Sequence, residues 1–360
     1  MRQMKYVSAG LLVLGLACVA GGTAKAQMST LQPPVVEGAA SVRVEHHQVH
    51  SDEIAGNLLG TPAERDVFVV LPPSYDKEPG RRYPVVYALH GYSIGADQWL
   101  KEIHMPQTAE GAFAQGVSEM IIVFPSSKNE HNGAFYSNSP TTGNFENFIA
   151  DELIGWVDAN FRTLAQPASR GLVGHSMGGY GASRIGVRRN DRYGALYLMS
   201  PCCQSPLTSR GLNGEDVAAV MALEKPADSA RLAFNQRGPL AIASAFSPNP
   251  KKAPLYVDLP VDELGEDRPD ILAKWAANAP LAFLDQYISG MREYRAIALD
   301  VGDKDGLVAD TTRMHEALLA WGIENSLDVY DGDHTNRLGY RMQDHVLPFF
   351  GSHLAFGMEE

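Results

Sequence analysis

Short apolar runs without a polar break recur along this chain, each followed by a stretch with helical spacing. That alternation restricts the fold more than any other feature of the sequence. Segments 171–175 (GLVGH), 194–199 (GALYLM), 295–301 (RAIALDV) and 326–330 (SLDVY) continue the series of strands that the unbroken runs 83–89 (YPVVYAL) and 120–124 (MIIVF) open. Strands of this kind are covered on both faces in a parallel sheet. Parallel neighbours need crossover connections, and helices are predicted over 145–161, 177–187, 311–321 and near 340–354, with Asn144 placed to cap the first. Residues 41–49 and 66–71 alternate apolar with polar around Gly60-Thr61-Pro62 and are expected to open the sheet as an antiparallel pair. The expected class is α/β, a mostly parallel central sheet flanked by helices.

The alternation lapses between Met199 and Arg295, where Pro is frequent and 262–270 is acidic. Residues 205–290 are therefore expected to be an insertion before the next strand, a cap or lid at the top of the sheet. Trp275, Phe283 and Tyr287 are candidates to line a ligand entrance there, with core packing as the commoner use of such rings.

The chain opens with Arg2 and Lys5, continues through an apolar run over 11–20, and reaches Ala24-Lys25-Ala26. This reads as an export signal over 1–26, with a secreted or periplasmic domain over 27–360. A lipoprotein reading at Cys18 is disfavoured by Gly15, where that signal usually carries Leu. No later segment approaches the apolar length needed to span a bilayer. Lys and Arg number 30 against 42 Asp and Glu, a formal charge of −12, which argues against nucleic acid and an anionic membrane as partners. Of 3 Cys, Cys18 lies in the expected leader and Cys202 and Cys203 are neighbours. A disulfide framework and a four-Cys zinc site are thus excluded, and two reduced, semi-buried thiols are expected.

Gly-x-Ser-x-Gly occurs at Gly91–Gly95 and again at Gly174–Gly178; with 34 Gly in 360 residues a single match is weak evidence, so context decides. Ser176 follows a buried strand, and Gly178, Gly179, Gly181 and Ala182 let the next helix approach closely, as a nucleophile elbow requires. Ser93 follows His90-Gly91 at an earlier strand end, where hydrolases of this kind place the loop that donates a backbone N–H to an oxyanion. A serine needs a His base and a carboxylate to orient that base. Gly302-Asp303-Lys304-Asp305-Gly306 and Gly332-Asp333-His334 both follow strands. The order Ser176, acid, His334 is that of α/β-hydrolases. Asp300, Asp303 and Asp305 are all candidates for the acid, and Asp305 is favoured because a loop beyond the strand can turn its carboxylate toward the His. The backbone N–H groups of Tyr92 and Met177 are the expected oxyanion donors, their side chains carrying less weight. His46, His47 and His50 read as solvated histidines on an exposed strand rather than metal ligands. His90 and His175 read as packing residues, and Asp151-Glu152 as helix-face charges.

These segments together resemble the esterase D-like esterases, a group that includes feruloyl and acetyl-xylan esterases, S-formylglutathione hydrolases and the antigen 85 mycolyltransferases. The resemblance rests on RDVFVVLPPSYD, YPVVYALHGY, MIIVFPS, FYSNSPTTGNFENFIADELIGWVDANFRT, GLVGHSMGGYGA, GDKDGL and GDHT, and covers most of the chain after the leader. It implies an α/β-hydrolase fold with Ser176 as nucleophile, Asp305 as acid, His334 as base and Tyr92 and Met177 as oxyanion donors. The long insertion and Cys202-Cys203 depart from the family pattern. An export signal speaks against S-formylglutathione hydrolysis, whose substrate belongs to the cytosol. The expected activity is an exported serine carboxylesterase acting through an acyl-enzyme on a small-molecule or glycan-linked ester, feruloylated or acetylated, with neither metal nor organic cofactor needed. The alternatives are acyl transfer to a sugar hydroxyl, as in the antigen 85 group, and a non-catalytic binding protein on a hydrolase scaffold.

Overall fold

The computed structural model describes residues 30–209 and 211–358; the expected leader over 1–26 lies outside them. The predicted strands form one eight-stranded sheet. In chain order they are β1 (Arg43–His50), β2 (Glu64–Leu71), β3 (Val85–Leu89), β4 (Ile121–Pro125), β5 (Arg170–His175), β6 (Ala195–Met199), β7 (Ala296–Gly302) and β8 (Ser326–Tyr330). Their spatial order is β1-β2-β4-β3-β5-β6-β7-β8. β1 and β2 pair antiparallel, as do β2 and β4, and every later pairing is parallel. This is the α/β-hydrolase fold that the sequence implies.

Every residue of β3, β4, β5 and β6 is buried, which explains their unbroken apolar character: helices cover both faces. One layer includes Phe145, Phe148, Leu153 and Tyr180. The other includes Trp99, Met105, Met342 and Phe350. β8 is the exception, an edge strand whose Val329 is exposed. No helix among the described residues is long and apolar enough to cross a membrane.

Three local expectations are corrected. Asn144 does not cap the following helix: no side-chain cap bond forms there, and its amide donates to Glu53 Oε2 at 2.8 Å. That helix runs in three pieces, Phe145–Asn147, a π-helical turn Phe148–Glu152, and Leu153–Asn160. Asp151 is a helix-face charge paired with Arg189 and Arg192, in the turn that follows the helix Met177–Arg188. Glu152 does more, accepting from the Ser51 hydroxyl and the Glu53 N–H and so pinning the loop after β1.

The long segment between β6 and β7 carries the helices Gly214–Met221, Phe234–Phe246 and Pro269–Ala276. Phe246 packs its ring against Phe135 and Tyr180 of the core, with centroids 5.7 and 5.6 Å apart. Polar bonds add to this: the Ser139 hydroxyl donates to the Ser244 carbonyl, and the Ser229 hydroxyl donates to the Glu130 carbonyl. Trp275 is wholly buried and gives its indole N–H to Ser247, so it belongs to the core of this segment and not to a ligand entrance.

Candidate active site

Ser176 stands between β5 and the helix Met177–Arg188 at φ +58° and ψ −114°, a backbone that side-chain-bearing residues rarely adopt. Its surroundings hold it there. The Ser176 N–H donates to the Met199 carbonyl at 3.0 Å, and its own carbonyl accepts from Tyr180 and Cys202 N–H groups. The flanking glycines are a steric requirement: a Cβ on Gly174 would lie 2.0 Å from the Gly178 carbonyl oxygen, and one on Gly178 would lie 2.0 Å from the Leu89 carbonyl oxygen. The sharp turn thus projects the Ser176 hydroxyl above the carboxyl end of the sheet, where the loops after β7 and β8 arrive.

The three aspartates in and just after β7 have different partners. Asp300 is fully buried and bound to Arg341 Nε at 2.8 Å and to the Tyr197 hydroxyl at 3.0 Å. Asp303 is half-exposed and accepts the Gly332 N–H at 3.0 Å, joining the two loops. Asp305 faces the histidine, its Oδ2 2.7 Å from His334 Nδ1. The other ring nitrogen, His334 Nε2, lies 2.9 Å from Ser176 Oγ. Sequence residues separated by 158 positions therefore share one hydrogen-bonded line. Burial would raise the Asp305 carboxyl above its ordinary value, but the bond and charge of His334 and the Leu307 N–H outweigh it, and the net shift is downward. An ionised Asp305 accepts the Nδ1 proton of His334, which leaves Nε2 with its lone pair toward the Ser176 hydroxyl.

Ser93, the serine of the other Gly-x-Ser-x-Gly, gives its N–H to the Asn132 carbonyl at 3.1 Å. Its neighbour Tyr92 borders the same cavity as Ser176 and Met177. Met177 is the first residue of its helix, so its N–H has no acceptor within the helix. The side chains of Tyr92 and Met177 also border the cavity. A Cβ on Gly133 would meet Met177 Sδ at 2.5 Å and the Tyr92 ring at 3.1 Å, so the two side chains and the 129–136 loop close one wall together.

The cavity measures about 450 Å³ and opens at Ser176. Its lining is mainly apolar, with Tyr92, Phe135, Phe234 and Ile242 prominent and Asn235 and Asp310 as polar members. Phe283 and Tyr287 are not among the lining residues, which corrects the entrance proposed from aromatic content. Phe234, at the start of an inserted helix and 71% exposed, takes that place, its ring 5.7 Å from that of Tyr92. An isolated Phe after Ala233 offers no periodic signal in the sequence that would mark it.

The neighbouring histidines are structural. His90 accepts the Ser127 N–H on Nε2 and donates from Nδ1 to the Gly91 carbonyl, and burial lowers it to about 4. His175 donates from Nε2 to the His334 carbonyl at 2.8 Å; burial and then the facing His334 lower it to about 3, so it stays neutral. This tie holds the backbone at His334 in place, which packing alone did not suggest. His46, His47 and His50 pair with Asp66, Glu45 and Glu64 on β1 and β2.

Comparison with known proteins places the chain in a family. A family model described as "Putative esterase" matches residues 60–341. Esterase MT1326 of Mycobacterium tuberculosis is 35% identical over 126 residues, 34% of this chain and 26% of that protein. Endo-1,4-beta-xylanase/feruloyl esterase of Xylanibacter ruminicola is 32% identical over 120 residues, 33% of this chain and 16% of that protein. The chain thus matches about a quarter or less of the length of these curated relatives. A solved ferulic acid esterase shares the fold with a TM-score of 0.62 at 21% identity, covering 88% of this chain and all of that one. With the model match running through most of its length, the chain belongs to the esterase family so described.

Proposed function

We propose that this chain is an exported serine carboxylesterase. The observation that carries the reading is the unbroken line from Asp305 through His334 to Ser176, 2.7 and 2.9 Å, beside an apolar cavity. In this reading His334 Nε2 takes the Ser176 proton as Oγ attacks the ester carbonyl, and the Tyr92 and Met177 N–H groups hold the developing oxyanion. His334 then returns the proton to the departing alcohol, leaving an acyl group on Ser176. Water gives a proton to His334 as its oxygen attacks the acyl carbon, and His334 passes that proton to Ser176 Oγ as the C–Oγ bond breaks and the acid leaves. Asp305 fixes the ring and compensates the imidazolium charge throughout.

The cavity and the relatives support a proposal of substrate class. Tyr92, Phe135 and Phe234 offer aromatic surface on which a flat acyl group packs. Two of the similar proteins are described as feruloyl or ferulic acid esterases. A feruloylated or acetylated glycan ester is therefore the proposed substrate. Export rests on the leader-like start of the sequence. The segment over 205–290 is proposed as the cap that shapes the entrance, since Phe234, Gly238 and Ile242 border the cavity.

The test is hydrolysis of p-nitrophenyl acetate and methyl ferulate by the wild type and Ser176→Ala under one set of conditions. Turnover of both esters, with kcat about 10⁶-fold lower in the variant, is expected. Wild-type inactivity on both esters, or turnover that survives the substitution, contradicts the reading.

A further inference from the structure

Cys202 and Cys203 follow β6 directly and take no part in the proton line. Both border the cavity into which Ser176 opens. Neither is held in a disulfide, Cys203 is buried and Cys202 partly so, and their Sγ atoms stand 2.8 Å apart, well inside an ordinary van der Waals separation. Adjacent side chains on an extended strand point to opposite faces. Here Cys203 adopts φ +63°, and the reversal brings both thiols to the cavity side.

The backbone around the pair is held at both ends. The Cys202 N–H donates to the Ser176 carbonyl at 3.1 Å. The Cys202 carbonyl accepts from the Gln204 side-chain amide at 2.8 Å, and the Gln204 N–H is bound by Asp310 at 2.7 Å. A covalent change at the thiols therefore acts on a peptide that is bonded directly to the nucleophile elbow.

We propose that Cys202 and Cys203 are a reversible dithiol–disulfide couple in the cavity wall, with low-molecular-weight disulfides as oxidant. One cysteine thiolate attacks a sulfur of oxidised glutathione, breaking its S–S bond and releasing one glutathione thiol. The second cysteine thiolate attacks the mixed disulfide, forming the Cys202–Cys203 bond and releasing the second glutathione thiol. Two protein S–H groups are oxidised and one glutathione disulfide is reduced to two thiols, so protons and electrons balance. Adjacent Cα atoms lie about 3.8 Å apart, closer than the roughly 4.4–6.8 Å usual for a disulfide. The bridge is accordingly easily reduced, which suits a switch rather than a staple. Its closure pulls on the Cys202 N–H that meets the Ser176 carbonyl, so the bridged form is expected to turn over more slowly; this consequence rests on the esterase reading.

The experiment exposes the full chain, carrying Cys18→Ser so that only the pair reports, to oxidised glutathione. Peptide mass and alkylatable thiols are read before and after dithiothreitol. The expected result is loss of two hydrogens from the peptide containing both cysteines, no retained glutathione, no alkylatable thiol, and full reversal. In the same samples kcat/KM for p-nitrophenyl acetate should fall about tenfold and recover. Thiols that stay alkylatable, or a stable glutathione adduct in place of the bridge, overturn the couple. A complete bridge with unchanged turnover overturns its control of the site. A reduced protein without turnover counts against the esterase reading alone, because the mass result still decides whether the couple exists.

Discussion

The three aspartates near β7 show what residue types alone decide and where contacts must take over. All three sit within six positions, and position relative to the strand end favours Asp305. What separates them physically is their partners: a buried guanidinium for Asp300, a backbone N–H for Asp303, an imidazole for Asp305. The account expects Asp305→Asn to fold normally and lose about 10⁴-fold in kcat. Asp300→Asn should instead cost roughly 1.5–3 kcal/mol of stability, since Arg341 loses its buried carboxylate and keeps only the half-exposed Asp328 as an ionic partner. Denaturant melts and ester turnover on both variants separate these outcomes. A catalytic loss in Asp300→Asn matching that of Asp305→Asn, in folded protein, would refute the division of labour.

At the scale of the element, the buried strands were legible because parallel pairing between covered faces demands unbroken apolar runs, and 83–89 and 120–124 are of that kind. The sharp turn at Ser176 was legible for a similar reason, as close backbone approach admits only glycine at 174 and 178. Helix interruptions were not. The π-helical turn Phe148–Glu152 and another at Met342–Val346 keep the same apolar residues buried, so periodicity is blind to them. The Asn144 cap failed because Glu53, far away in sequence, takes its amide. Loop-to-loop contact offers a test at this scale. A Cβ on Gly302 would lie 2.3 Å from the Gly332 carbonyl oxygen, so Gly302→Ala must push the loop of Asp303 and Asp305 away from that of His334. A displacement of this kind should lower kcat about 10²-fold with the sheet intact; steady-state kinetics beside circular dichroism checks it, and unimpaired kcat would show that the two loops are not coupled.

For the whole molecule, the aromatic entrance illustrates the limit of one sequence. Trp275, Phe283 and Phe234 are equivalent as residue types, and only the packing of the segment between β6 and β7 sends the first inward and the last to the cavity mouth. Packing elsewhere in the molecule buries titratable groups and so sets a global pH dependence. Burial lowers His90 and His131 to about 4 and His175 to about 3, below the ordinary value of 6.5. The unfolded chain therefore binds more protons between 6.5 and 4, and this share of stability is complete above 6.5 and lost as pH falls through that window. At pH 5 each group accounts for at most about 2 kcal/mol. Asp300 opposes this trend, since burial lifts its carboxyl to about 6 and it gains a proton in the folded state over the same range. Three groups outweigh one, so Tm should drop steadily from pH 6.5 to 4.5. A Tm that is flat or rising over that interval would contradict these burials. The central claim, a nucleophile at Ser176 activated by His334, is tested most directly by covalent labelling with diethyl p-nitrophenyl phosphate followed by peptide mapping. The account predicts one diethylphosphoryl adduct, on Ser176, that fails to form in His334→Ala. Labelling at Ser93, or labelling of Ser176 that is indifferent to His334, would contradict it.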